Sequence, residues 1–297
     1  DAQDCRLCQL GFCHSGVTPP MRQPPFLPFL DGPPGIAPGL KPIAQDDWLL
    51  PDSEAGAWLD AKRALMTRQR KDVFAALEAH AEMAECAAAV LAVTGPASGT
   101  WPTPLEAASS MVSDDLCVMI RDADGLWRLR AASLCAPTYW QLAVKFNQPL
   151  GGLHSPVPGG DPGLARRISR IFDGVRPGML LERCNWSVQP GAERFTPSSA
   201  PLKALAAGMD AADALDQLHL RVERQTICKL PETGAVLFTI RVVMDPLRTA
   251  LAGPGHVDAF EAAWKQVDPD MYRYKGWQLY ERLIAAALDA ARNPVRS

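Results

Sequence analysis

The stretch Arg221-Val-Glu-Arg-Gln-Thr-Ile-Cys-Lys-Leu-Pro-Glu-Thr-Gly-Ala-Val-Leu-Phe-Thr-Ile-Arg241 reads as two β-strands joined by a Pro-Glu-Thr-Gly turn. Its second half, with Ala235, Val236, Leu237, Phe238 and Ile240, is an apolar, β-branched and aromatic run of buried-strand length. Its first half is unusually charged. The side-chain period of two puts Arg221, Glu223 and Gln225 on one face and Arg224 on the other. A central strand carrying that much charge needs anionic or polar partners, because unpaired buried charge is costly.

Working outward from this hairpin, Leu116 to Arg121 predicts a strand, Asp122-Ala-Asp-Gly125 a turn, and Trp127 to Cys135 the return strand. Met179 to Val188 predicts another strand. Thr138 to Phe146 reads as a short helical piece, Gly151 to Gly160 as a loop, and Gly163 to Phe172 as a helix. Apolar residues at three- and four-residue spacing predict two helices between Glu54 and Val93, a span that includes Val73, Phe74, Leu77 and His80. The chain is helical again from Pro246, with Trp277 to Ala291 the best amphipathic stretch. Helices, then hairpins, then helices argue for an α+β fold, an antiparallel sheet with flanking helices at both ends. Residues 1–50 are rich in Pro, Gly and Cys and read as an arm over a domain surface. The expected division is a Cys-rich arm over 1–24 and a single domain over 25–297.

The 297 residues carry a net charge of -3, which gives no basic field for a nucleic acid. No apolar stretch reaches the roughly 18 residues that span a bilayer. Eight scattered cysteines and no visible secretory leader suit reduced thiols in a cytoplasm. There is no Gly-x-Gly-x-x-Gly after a strand, no Walker loop and no Gly-x-Ser-x-Gly elbow. Any redox chemistry would therefore draw its electrons from elsewhere.

Five histidines are present, and His154 stands apart in Gly151-Gly-Leu-His-Ser-Pro-Val-Pro-Gly159. Pro156 and Pro158 fix φ just after it, so the imidazole should be aimed in one direction. That suits a metal or haem ligand, a general base, or a histidine in a structural loop. His80 reads as a core or boundary residue, His219 as a strand-face residue, and His256 as an exposed helix end. Cys5, Cys8, Cys13 and His14 offer a zinc-like donor set, or a disordered end. Cys117, Cys135, Cys184 and Cys228 fall in strand patterns and read as small buried hydrophobes. Asp114-Asp115 reads as an acid pair or a solvated turn. Arg183-Cys-Asn-Trp186 adds a third arginine to a strand, and Tyr272-Arg-Tyr-Lys-Gly-Trp277 closes a pocket or anchors the last helix.

Several segments together resemble the haem-dependent oxidative N-demethylases. They are Pro38-Gly-Leu40 with Trp48; Ser113-Asp-Asp-Leu-Cys117; Trp127 to Trp140; Lys145; Leu153-His-Ser-Pro-Val-Pro158; Arg183-Cys-Asn-Trp-Ser187; Arg221-Val-Glu-Arg-Gln-Thr226; Leu230-Pro231; Phe238-Thr-Ile-Arg241; and Tyr274-Lys-Gly276. They run in order over roughly residues 25–285. The resemblance implies a PAS-like fold holding a b-type haem. It implies O2-dependent removal of a methyl group from a small amine such as dimethylamine. Electrons would come from NADPH through FMN and [2Fe-2S] centres on partner proteins. It implies His154 as the proximal iron ligand, with Arg221 and Arg224 as candidates for the propionates. Since these two arginines face opposite ways, only one is expected to reach a propionate directly. Glu223, Asp114, Asp115 and Tyr139 are its candidates for holding the amine, since an ammonium seeks a carboxylate or an aromatic face. Two other readings compete with this one, a PAS-type haem sensor without turnover and a scaffold in which His154 is structural. The absence of an evident output module in the sequence argues against the sensor.

Overall fold

A computed structural model describes residues 23–35, 39–50, 55–155, 157–158 and 160–293. The Cys5, Cys8, Cys13 and His14 cluster lies outside the described residues, as do Pro156 and Gly159 beside His154. Seven strands form one antiparallel sheet: β1 (Lys41–Ile43), β2 (Phe74–Ala76), β3 (Asp115–Arg121), β4 (Trp127–Ser133), β5 (Leu180–Pro190), β6 (Leu218–Lys229) and β7 (Val236–Pro246). Their spatial order is β1-β5-β6-β7-β3-β4-β2. With helices before and after the strands in the chain, the α+β class is what the sequence predicts.

The β6–β7 hairpin is the centre of the sheet. Gly234 takes φ 72°, a left-handed turn position that glycine adopts without strain, and Leu230 N–H donates to Ala235 O at 2.8 Å. Glu223 then pairs with Val242 and Arg224 with Arg241, so the period-two reading of the charged strand holds. The two faces have different fates. On the far face, the helices His80–Thr94 and Pro104–Ser109 cover Leu116, Val118 and Leu237. The C-terminal helices His256–Lys265 and Glu281–Arg292 cover Trp186, Leu220 and Val222. Trp264 and Trp277 stack there at 4.1 Å between ring centroids. On the inner face, the helix Ala55–Arg68 covers Val242 and Met244. The helices Leu142–Lys145, Leu150–His154 and Ala165–Gly174 gather over Met119, Ile227 and Val236.

Four local expectations change. Phe74–Ala76 is an edge strand paired with β4, not part of a helix; its apolar residues mimic helical spacing, and its partner lies far along the chain. His80, expected in the core or at its boundary, opens the next helix and is exposed. His256, expected at the surface, is half-buried: its Nδ1–H donates to Ala250 O at 2.9 Å and its ring meets Phe29 edge-on. Residues 41–43 of the supposed arm pair with β5 as β1, and Phe29 is buried in the far-face core. Among the described residues, no helix is long and apolar enough to cross a membrane.

Candidate functional site

The inner face brings side chains of β5, β6 and β7 into register. Ile227 stands between Leu181 and Phe238, Gln225 between Arg183 and Ile240, and Glu223 between Asn185 and Val242. Arg221 stands between Ser187 and Met244 in the next row. Side chains in the middle of a covered sheet are normally shut off from solvent. Here Leu181, Phe238, Arg183, Gln225, Ile240, Asn185 and Glu223 are only half-buried, whereas Ser187, Arg221 and Met244 are buried. The inner face is therefore recessed but open at its centre. One end of the recess is apolar and the other polar.

His154 ends the short helix Leu150–His154, a helical position where a loop was expected. Its Nδ1 is 2.8 Å from Leu150 O. A carbonyl can only accept, so Nδ1 carries the proton and Nε2 keeps its lone pair. Burial lowers the His154 pKa; the Leu150 carbonyl opposes this, while Lys145 and Arg183 lower it further. The imidazole is thus held neutral, the form that ligates a metal. Lys145 Nζ donates to Gly152 O at 2.8 Å and Arg183 Nη2 to Gly35 O at 3.2 Å. Two cations consequently lie within electrostatic reach of the free imidazole nitrogen.

Glu223 occupies the polar end. The Thr138 hydroxyl donates to Oε1, Gln225 Nε2 donates to Oε2 at 2.9 Å, and the Asn185 side chain also hydrogen-bonds the carboxylate. Burial pushes its pKa up, but Arg221, Thr138, Lys275 and Asn185 together outweigh burial and hold the carboxyl below its ordinary range. Lys275, whose Nζ donates to Trp186 O at 3.1 Å, is pushed down to about 8 by burial against the pull of Glu223. Tyr139 adopts φ 61°, a left-handed conformation that costs a non-glycine residue energy. Its N–H donates to Thr196 O at 2.8 Å, and its ring contacts Tyr280 through a side-chain hydrogen bond. The loop carrying Thr138 and Tyr139 is thereby delivered to the pocket.

The same loop explains Asp115 and Arg221. Asp115 accepts from Cys135 N–H and Ala136 N–H, both at 2.8 Å. Arg221 is fully buried and donates to Ala136 O at 2.8 Å, Arg194 O at 3.2 Å, Thr138 Oγ1 at 2.9 Å and Gln189 Oε1 at 3.3 Å. Both side chains hold the end of β4 and the loop after it. Arg224 lies on the far face, bound to Glu182 and to the carbonyls of Trp48 and Asp47. Asp114 is there too, bound by Arg241 at 2.6 and 2.9 Å. Of the residues singled out by sequence, His154, Glu223 and Tyr139 share the inner-face recess with Arg183. Arg221 and Asp115 buttress it, and Arg224 and Asp114 stand on the opposite face. Thr138, Asn185 and Lys275 were not singled out. Each sits in a quoted segment, and only that of Lys275, Tyr272 to Trp277, reads as able to close a pocket; local spacing does not single out the residue itself.

Burial raises the Asp115 pKa to about 6 from 3.8; Lys62 and the two backbone N–H groups oppose this. The folded state therefore binds this proton more tightly than the unfolded chain. The associated stability is full below about pH 4 and is lost as the pH rises through about 6. Relative to an Asp115→Asn variant, the wild type should lose roughly 2–3 kcal/mol between those limits. Parallel stability curves for the two proteins in calorimetry from pH 4 to 7 would contradict this.

Haem asks for an axial base, apolar walls and cations for two carboxylates. His154 Nε2 offers the first, Leu181, Phe238 and Ile240 the second, and Arg183 and Lys145 the third, so the residues present fit the group. These residues could hold a planar, anionic, iron-bearing cofactor. A family model described as haem-dependent oxidative N-demethylase, alpha subunit-like, matches residues 92–285, well over half of the chain. The chain belongs to that family.

Proposed function

We propose that this chain is the haem-bearing subunit of a multi-component oxygenase that removes a methyl group from a small amine such as dimethylamine. The observation that carries this reading is the open row Arg183–Gln225–Ile240 in the middle of the sheet, beside an imidazole with a free Nε2. The overall reaction consumes amine, O2, two electrons and two protons, and yields the demethylated amine, formaldehyde and water. Haem, when bound, supplies the O2 chemistry that oxidises the methyl carbon. The electrons would come from NADPH through FMN and [2Fe-2S] centres on a partner, in a cytoplasm where the described cysteines stay as the free thiols found here.

The chain's own residues do the binding and positioning. His154 Nε2 takes the iron. Arg183 and Lys145 take the propionates, in preference to Arg221 and Arg224, whose guanidinium groups are committed to internal acceptors. Leu181, Phe238 and Ile240 keep water from the apolar end. Glu223 receives the ammonium group. A carboxylate has about four lone-pair directions, and Thr138, Gln225 and Asn185 use three of them, so one remains for the substrate.

Glu223→Gln removes that charge while keeping the shape. It should lower kcat/KM for the amine roughly 30- to 150-fold, the equivalent of about 2–3 kcal/mol of charge-assisted hydrogen bonding. The haem spectrum should be unchanged, and unaltered turnover would refute the role of Glu223. The proposal itself is tested by amine-dependent O2 consumption with formaldehyde release, in haem-loaded protein supplied with reductant. Bound haem with no amine-dependent turnover would favour the sensor reading.

A further inference from the structure

We propose that the outer face of the helix Ala165–Gly174 is the docking surface for an acidic, electron-donating protein. This rests on the reading above that the haem is reduced from outside the chain. The helix has two contrasting sides. Ile168, Ile171 and Phe172 pack into the cluster that contains Leu150 and Leu153, the residues beside His154. Arg166, Arg167 and Arg170 turn outward and are exposed, and Arg176 is exposed just beyond the helix. The helix carrying three of these charges therefore packs, through its opposite side, against the helix that bears the candidate iron ligand.

Arg166 Nε donates to Pro162 O at 3.3 Å, but among the described residues no ion pair engages Arg166, Arg167, Arg170 or Arg176. The ion pairs of this side of the molecule join Arg121 to Asp173 and both Arg128 and Arg130 to Asp122. They leave out Arg166, Arg167, Arg170 and Arg176. The carboxylate of the helix itself, Asp173, turns to Trp127 Nε1 at 2.9 Å and to Arg121 at 3.6 Å. Three exposed arginines on one helix, with Arg176 just beyond it and no ion pair to any of the four among the described residues, are an asymmetry on a chain with net charge -3. An exposed apolar side chain borders Arg176. Met179, whose N–H donates to Arg176 O at 3.0 Å, is 39% exposed. Arginine and methionine around apolar contacts are the composition of a protein interface. A like-signed basic patch also speeds encounter with an acidic partner.

The test uses the full chain, supplied with haem, and an acidic plant-type [2Fe-2S] ferredoxin as the probe. Affinity is measured by titration calorimetry for three proteins: the wild type, the charge-reversed Arg166→Glu/Arg167→Glu/Arg170→Glu variant, and the charge-preserving Arg→Lys triple variant. Between about 50 and 200 mM salt the wild-type Kd should weaken about tenfold or more. At low salt the Glu variant should bind about tenfold more weakly or worse, and the Lys variant within about threefold of wild type. The Soret band and melting temperature of both variants should stay at wild-type values. Equal affinity of wild type and Glu variant, or no ferredoxin binding by wild type, would overturn the proposal. So would a wild type that binds only anionic vesicles. Binding is read without turnover, so failure of the docking surface is distinguishable from failure of the haem reading, which shows as a missing Soret band.

Discussion

A His154→Ala chain supplied with haem is expected to lose most of the Soret band of the wild type while keeping its fold. The reasoning starts from one hydrogen bond. Leu150 O fixes the proton on Nδ1 and leaves the Nε2 lone pair as the donor. Burial, with help from Lys145 and Arg183, keeps the ring neutral, so no proton has to be displaced before the nitrogen ligates iron. Lys145 and Arg183 are cations and cannot replace it. The side chain is half-buried and hydrogen-bonds to a carbonyl of its own helix. Losing that bond should cost only about 1 kcal/mol of stability. Imidazole added to the variant should restore part of the band. An unaltered spectrum in the variant would remove His154 from the site.

Arg221→Ala should be the most destabilising single change at the inner face. Arg221 is fully buried, and its guanidinium satisfies the carbonyls of Ala136 and Arg194 together with Thr138 and Gln189. It is also the charge that most strongly keeps Glu223 ionised against its burial. Truncation leaves several buried acceptors without their donor and removes the charge that offsets the partial burial of Glu223. Breaking a buried, hydrogen-bonded charge network costs about 3–5 kcal/mol, a large part of the 5–15 kcal/mol that holds a typical domain together. Denaturant unfolding should show that loss, and a change below about 1 kcal/mol would contradict the buttressing role. Arg183→Ala provides the contrast. Half-exposed and donating to Gly35 O, Arg183 should on truncation weaken haem retention while leaving the unfolding midpoint almost unmoved.

Sequence reasoning read well where the physics is local. The β6–β7 hairpin follows from a period of two and a glycine at the turn. The same period places Arg221, Glu223 and Gln225 together and Arg224 apart, as the register has them. His154 stood out through its flanking prolines, yet its helical placement depends on Leu150 to Leu153 packing under β4 and the Ala165–Gly174 helix. The partners of the arginines were not legible. Arg221 meets Ala136, Glu193 and Arg194, and Arg224 meets Asp47, Trp48 and Glu182. These groups come from distant loops, and only the folded chain shows which guanidinium is spent on backbone carbonyls. Lys275 reaches Glu223 for the same reason, from a segment that follows the whole sheet in the chain. Phe74–Ala76 failed as a helix because three residues are too few to reveal a strand whose partner is remote.

The most direct test of the haem pocket is a haem titration of the wild-type chain beside an Ile240→Trp variant, followed by Soret absorbance. Ile240 lies half-buried in the open row, and an indole there would fill the recess. The wild type should saturate sharply at one haem per chain, and the variant should bind weakly or not at all. A wild type that shows no saturable Soret band, or a variant that saturates as the wild type does, would contradict a haem seated on the inner face of the sheet.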